Sequence, residues 1–288
     1  MQTETSPRGS SRRRRSSRLA AFAAAAAGVG VLLTGCGGSD DDGTGGAGDG
    51  TADASSSSSS PSSSPSSERE TGQRVLWVGD SIAAVQAPAL EAALTASGVA
   101  FEDASSVGGG TVVEGDEMSG PLADATWDQV EERIASFRPG VIAYQITTYD
   151  WGTPEQQRAS YEKLAGTARD AGAELVIVSA PPYRIDDFYR PHEDALAGAP
   201  EVAAEVAEAG GDGVHFLDAG ELWGTDSDAE QAQRSADGIH SCQQGSAAFA
   251  AWFGEELGER YGFTPAAPEE WATGSWTSDE QFGHLGCE

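Results

Sequence analysis

The stretch Arg74-Val75-Leu76-Trp77-Val78-Gly79-Asp80-Ser81-Ile82 decides the fold. An apolar, β-prone run over 74–78 stops at a Gly-Asp turn, and an Ala- and Leu-rich helical stretch follows from about 82 to 96. Strand, sharp turn and helix make the first half of a βαβ unit, and the same grammar repeats outward. A second short run at 99–103 leads into Gly108-Gly109-Gly110. A helix is predicted over 127–137, closed by Pro139-Gly140, before the strand 141–146. Thr153 and Pro154 supply an N-cap and a first helical residue for a helix reaching about 171. A strand over 175–179, a polar aromatic loop, a helix near 200–209, a strand over 214–217 and a last helix over 245–261 complete the series. Alternating helices with apolar, β-branched strands predicts an α/β fold, a parallel sheet covered by helices on both faces in three layers.

In such a sheet, ligands bind beyond the carboxyl ends of the strands. Ser81 lies just past the first strand, Gly108–Gly110 past the second, and Thr147-Thr148-Tyr149-Asp150 past the third. Asp237-Gly238-Ile239-His240 lies in the loop before the last helix. All these groups fall on one rim. There they supply an alcohol, an imidazole and a carboxylate, the requirement for acyl transfer through a serine ester. The turn exposes Ser81 at a helix N-terminus, where free N–H groups and the dipole favour negative charge. His240 would take the serine proton, and Asp237, three residues earlier, would fix the imidazole tautomer. Each motif alone reads better as a turn beside a helix, since such short matches are common; order and placement carry the reading.

The segment 73–262 resembles the GDSL, or SGNH, hydrolases, a family of esterases, lipases and carbohydrate deacetylases on a flavodoxin-like α/β/α sandwich. Gly79-Asp80-Ser81-Ile82 is similar to its first block and Asp237-Gly238-Ile239-His240 to its last. The resemblance implies Ser81, His240 and Asp237 as the triad. It implies an oxyanion donor at Gly109, with Gly108 and Gly110 as alternatives. The third block departs from the pattern: Tyr149 stands where the family carries an asparagine donor. Either the Tyr149 O–H or the Thr148 hydroxyl replaces it, or the oxyanion hole rests on the backbone N–H groups of Ser81 and Gly109. The implied activity is cleavage or transfer of a carboxylic ester without cofactor or metal, with a small acyl group on a glycan or cell-wall component as the substrate. Longer-chain lipase or thioesterase activity, or a surface binding protein without catalysis, are the competing readings.

Residues 1–35 read as a signal peptide, in which Arg12–Arg15 and Arg18 precede an apolar run over 19–33. Leu33-Thr34-Gly35-Cys36 resembles a lipobox, implying lipid on Cys36 and an anchor on the extracytoplasmic face of the membrane. Residues 37–72 are a Gly/Ser/Asp/Pro linker with little to bury, and 263–288 form a tail. Removal of residues 1–35 leaves 11 basic and 45 acidic residues, net −34. Such a charge excludes nucleic acid as a partner, because phosphate binding needs clustered Lys and Arg. The expected contacts are an ester substrate and a membrane touched only through lipid, with the protein a monomer. Outside the cytoplasm, Cys242 and Cys287 are the pair left once Cys36 carries lipid, with free thiols or intermolecular bonding as the alternative. Lys163 is the only lysine, so Ser160-x-x-Lys163 has no Lys-Thr-Gly partner and no phosphate-binding P-loop is present. Trp151, Tyr183, Arg184 and Trp223 stand in or near rim loops, as cleft lining or as packing.

Overall fold

The computed structural model describes residues 71–287, all within the second of the chain's two units, Pro61–Glu288. The signal segment 1–35, Cys36 and the linker up to residue 70 lie outside the described residues.

Five strands form one parallel sheet in the order β2-β1-β3-β4-β5: β1 is Arg74–Gly79, β2 Ala100–Ser105, β3 Val141–Gln145, β4 Glu174–Val178 and β5 Val214–Leu217. Alternation along each strand divides the core in two, because successive side chains leave opposite faces. Leu76, Val78, Ile142, Tyr144, Leu175 and Ile177 pack under α2 (Ser119–Phe137), α3 (Pro154–Asp170) and α4 (Glu193–Gly210). Val75, Trp77, Val141, Ala143, Val176 and Val178 pack under α1 (Ser81–Ala96) and α6 (Gln243–Tyr261). Trp77 is fully buried between the rings of Phe249 and Phe253, at 5.7 and 5.5 Å, and its indole N–H donates to the Ala83 carbonyl. A short α5 (Gly220–Trp223) follows β5.

Two helices are longer than the sequence predicts. The second begins at Ser119 rather than near 127, because Asp116 Oδ1 accepts the N–H groups of Met118 and Ser119 and caps the turn. Pro121 then falls in the first turn, where a missing N–H is harmless. The fourth begins at Glu193 and carries Pro200 inside it. The segment after residue 262 packs back on the domain through α7 (Pro268–Trp271) and α8 (Glu280–His284), burying Trp271 and Phe282. A disulfide joins Cys242 to Cys287. Among the described residues no helix is long and apolar enough to cross a membrane.

Candidate active site

The strand order reverses between β1 and β3, which makes the crevice above their carboxyl ends the switch point where ligands bind in this topology. Ser81 opens α1 directly above β1, and Asp80 is the N-cap of that helix. Asp80 is fully buried and holds the crevice together. Its Oδ1 accepts Ile82 N–H at 2.9 Å, and its Oδ2 accepts both the N–H and the hydroxyl of Thr148 at 2.8 and 2.7 Å. Burial pushes its carboxyl up, against the pull of these donors. The Thr148 hydroxyl expected at the oxyanion is therefore turned to Asp80 instead. A buried carboxylate is the stronger acceptor available to it.

His240 Nε2 lies 2.9 Å from Ser81 Oγ, and His240 Nδ1 lies 2.6 Å from Asp237 Oδ2. A neutral imidazole with its proton on Nδ1 satisfies both contacts. The loop that carries the pair is tightly wound. Asp237 Oδ1 accepts from Ser235 Oγ at 2.7 Å and from the N–H groups of Ile239 and His240 at 2.7 and 3.0 Å. Gly238 has a φ of +73°, which permits the turn that brings Asp237 back onto His240. Arg184 closes over it, its N–H donating to the Gly238 carbonyl at 2.8 Å and its Nη1 to the Asp237 carbonyl at 3.2 Å. Burial pushes the Asp237 carboxyl up, but the donors from His240, Ile239 and Ser235 prevail and hold it at about 2. It is ionised at any working pH.

The Gly108–Gly110 loop departs from expectation at one atom. Gly109 adopts a φ of +93° and its N–H donates back to the Ser106 carbonyl at 3.3 Å, rather than standing free. That bond is slightly longer than the usual range of about 2.7–3.2 Å. Tyr149 lies directly against this glycine: a Cβ added there would meet Tyr149 Cε2, Cζ and the hydroxyl at 3.0, 3.1 and 3.3 Å. Burial, with Asp80 nearby, pushes the Tyr149 phenol up, so it keeps its proton. Its ring is held by Trp151 and Phe188, at 5.1 and 6.2 Å between centroids.

Asp150, next in the chain, fixes this strand end. It is completely buried and accepts from Thr111, Tyr144, Thr147 and Tyr161 at 2.6–2.8 Å. Trp151 is buried packing, stacked on His192 at 3.9 Å. His215 belongs to a pair with Glu174 on β4. Among the described residues no three His, Cys, Asp or Glu side chains are grouped to hold a metal. Tyr183 and Trp223 do border a cavity of about 460 Å³ above β3, β4 and β5, with Ile185, Leu196 and Pro182. Neither Ser81 nor His240 lines it. Tyr183, Ile185 and Leu196 also pack with Tyr149 and Ile239, which places the cavity one apolar layer from the imidazole loop.

A five-stranded parallel sheet with a Ser–His–Asp chain of hydrogen bonds above its carboxyl edge defines an SGNH hydrolase-like fold. The family model of the SGNH domain, described as fused to AT3 domains, matches residues 48–239, and the chain belongs to that family. The chain is also similar to solved structures. A candidate acylhydrolase from Bacteroides fragilis is 12% identical with a TM-score of 0.50, covering 66% of this chain and 88% of that one. A GDSL-like lipase from Bacteroides thetaiotaomicron is 15% identical with a TM-score of 0.49, covering 65% and 88%. A family two carbohydrate esterase from Clostridium thermocellum is 14% identical with a TM-score of 0.44, covering 65% of each. No curated protein matches the chain.

Proposed function

We propose that this protein is a serine esterase whose triad is Ser81, His240 and Asp237. The single observation that carries the reading is the continuous chain Ser81 Oγ–His240 Nε2–Asp237 at 2.9 and 2.6 Å. His240 takes the Ser81 proton as Oγ attacks the ester carbonyl carbon, and returns it to the departing alcohol. The acyl group remains on Ser81 until water, activated by the same imidazole, releases it. Asp237, ionised throughout, holds the tautomer and stabilises the imidazolium. Negative charge on the carbonyl oxygen is met by the Ser81 N–H at the start of α1 and by the Tyr149 hydroxyl beside Gly109.

The substrate in this reading is a small acyl ester, such as acetyl on a glycan or cell-wall component. The Tyr149 ring, set against Gly109 and backed by Trp151 and Phe188, supports a short acyl group. The protein acts on the extracytoplasmic face of the membrane, tethered by lipid on Cys36 through the linker 36–72. Mass spectrometry of the mature N-terminus tests that tether; a cysteine without diacylglycerol excludes it. A second reading, activity on longer acyl chains, is favoured by the apolar cavity behind Tyr183.

The test is hydrolysis of p-nitrophenyl acetate and octanoate by the full chain and its Ser81→Ala variant. Loss of about 10⁶ in kcat on removing the nucleophile is expected. Equal rates in the two proteins exclude the triad, and preference for octanoate favours the second reading.

A further inference from the structure

Arg133, Arg158, Lys163, Arg184 and Arg190 each face a carboxylate within ion-pair distance. Arg234 has none among the described residues, although it is mostly buried. One of its side-chain hydrogen bonds reaches the loop that carries Asp237 and His240. Nε donates to the Ala232 carbonyl at 2.7 Å and Nη1 to the Ile239 carbonyl at 3.0 Å, one residue before His240. The Arg234 backbone bridges Ser241 in antiparallel fashion, and Ser235 N–H closes the loop on the His240 carbonyl at 2.7 Å. The planar guanidinium lies 4.7 Å above the Trp223 ring, which stacks on Phe249 in the core at 6.1 Å. Core, indole, guanidinium and the Ile239 carbonyl thus form one connected line ending at the peptide that precedes His240.

Stability alone does not call for a guanidinium here. Nη2 is buried with no partner among the described residues. Burial pushes the group down to about 10, against the pull of Asp237. A buried charge without a paired carboxylate is unfavourable, and an apolar chain of similar volume would fill the same space without that penalty. What an apolar chain would lack is the fork that spans two carbonyls while its charge sits over an indole.

We infer that Arg234 is a positioning residue, whose fork fixes the Ile239 carbonyl and so holds His240 in reach of Ser81. The inference rests on the esterase reading only for its kinetic readout. A displacement of about 1 Å in a reacting group lowers rate by roughly 10².

The test compares Arg234→Met and Arg234→Lys with wild type in the full chain purified in detergent. Three quantities are read: kcat and KM for p-nitrophenyl acetate, the unfolding midpoint, and the downfield proton resonance of the His240–Asp237 hydrogen bond, recorded without substrate and assigned by its loss in His240→Gln. In Arg234→Met, kcat is expected to fall roughly 10²-fold with KM nearly unchanged and the midpoint little altered, while the resonance weakens or broadens. Arg234→Lys should fail almost as fully, since an ammonium keeps the charge and loses the fork. Wild-type kcat in Arg234→Met, or its full recovery in Arg234→Lys, overturns the inference. Should Arg234→Met not fold, Arg234→Lys decides alone. Absence of turnover in wild type would count against the esterase reading; an unchanged resonance in the variants would count against Arg234.

Discussion

Replacing Tyr149 by Phe removes one oxygen and nothing else from the oxyanion side of the crevice. The ring would keep its contacts with Trp151 and Phe188 and its close approach to Gly109. No protein hydrogen bond to the hydroxyl is broken, so stability should change by well under about 1 kcal/mol. Loss of one oxyanion donor lowers kcat by about 10²–10³, or about 2.7–4 kcal/mol. Tyr149 is partly exposed, and water can then take over some of the role, which puts the expected loss at the lower end, about 10². The assay is steady-state hydrolysis of p-nitrophenyl acetate from pH 6 to 9, with KM expected to stay nearly constant because the interaction forms only as charge develops. Gly109→Ala approaches the same atoms from the other side. Its methyl would press on the ring at 3.0 Å in a backbone conformation that disfavours alanine, and kcat should fall similarly. Wild-type kcat in Tyr149→Phe would refute the assignment of this hydroxyl to the oxyanion.

Acid unfolding tests the electrostatics of the imidazole loop. The Asp237 carboxyl is lowered to about 2 in the folded protein, against about 3.9 for an unfolded aspartate. Its stabilising contribution is therefore full above about pH 4 and disappears as pH falls towards 2. Asp237→Asn should lower stability at pH 6 and show a shallower loss than wild type over that window; parallel curves would contradict this. Asp80→Asn places an amide N–H₂ or a single carbonyl where three donors converge. It should cost about 1–3 kcal/mol, read in urea, and unchanged stability would show the network to be replaceable. The Cys242–Cys287 bond closes a separation of 45 residues, worth about 4 kcal/mol in the chain-entropy model, so Cys287→Ser should lower the unfolding midpoint by about 10 °C. A midpoint unaffected by the substitution would mean the tail holds through Trp271 and Phe282 alone.

The sheet was legible because its signals are local. The run 74–78 is apolar and ends at glycine, and the strands at 141–145 and 174–178 are short apolar runs rich in Val and Ile. Helix starts were less legible: Gly120-Pro121 reads as a loop, although a side-chain cap from Asp116 supports a helix there. Pro200 likewise reads as a helix start and lies within one. At the crevice, residue types could be read but not the direction of their hydrogen bonds. Thr148 and Gly109 look like free donors in sequence, and only the folded chain turns one to Asp80 and the other to Ser106. Arg234 left no recognisable trace. Its partners are two main-chain carbonyls and an indole, none of which produces a charge pattern, and the one available hint is an arginine three residues before Asp237 in a strongly acidic chain.

The most direct measurement is the intact mass and peptide map of the protein after exposure to a fluorophosphonate. One stoichiometric adduct on Ser81 is predicted, absent from Ser81→Ala and strongly slowed in a His240→Gln variant. An unmodified protein, or an adduct on any other residue, would contradict the assignment of Ser81 as a nucleophile activated by His240.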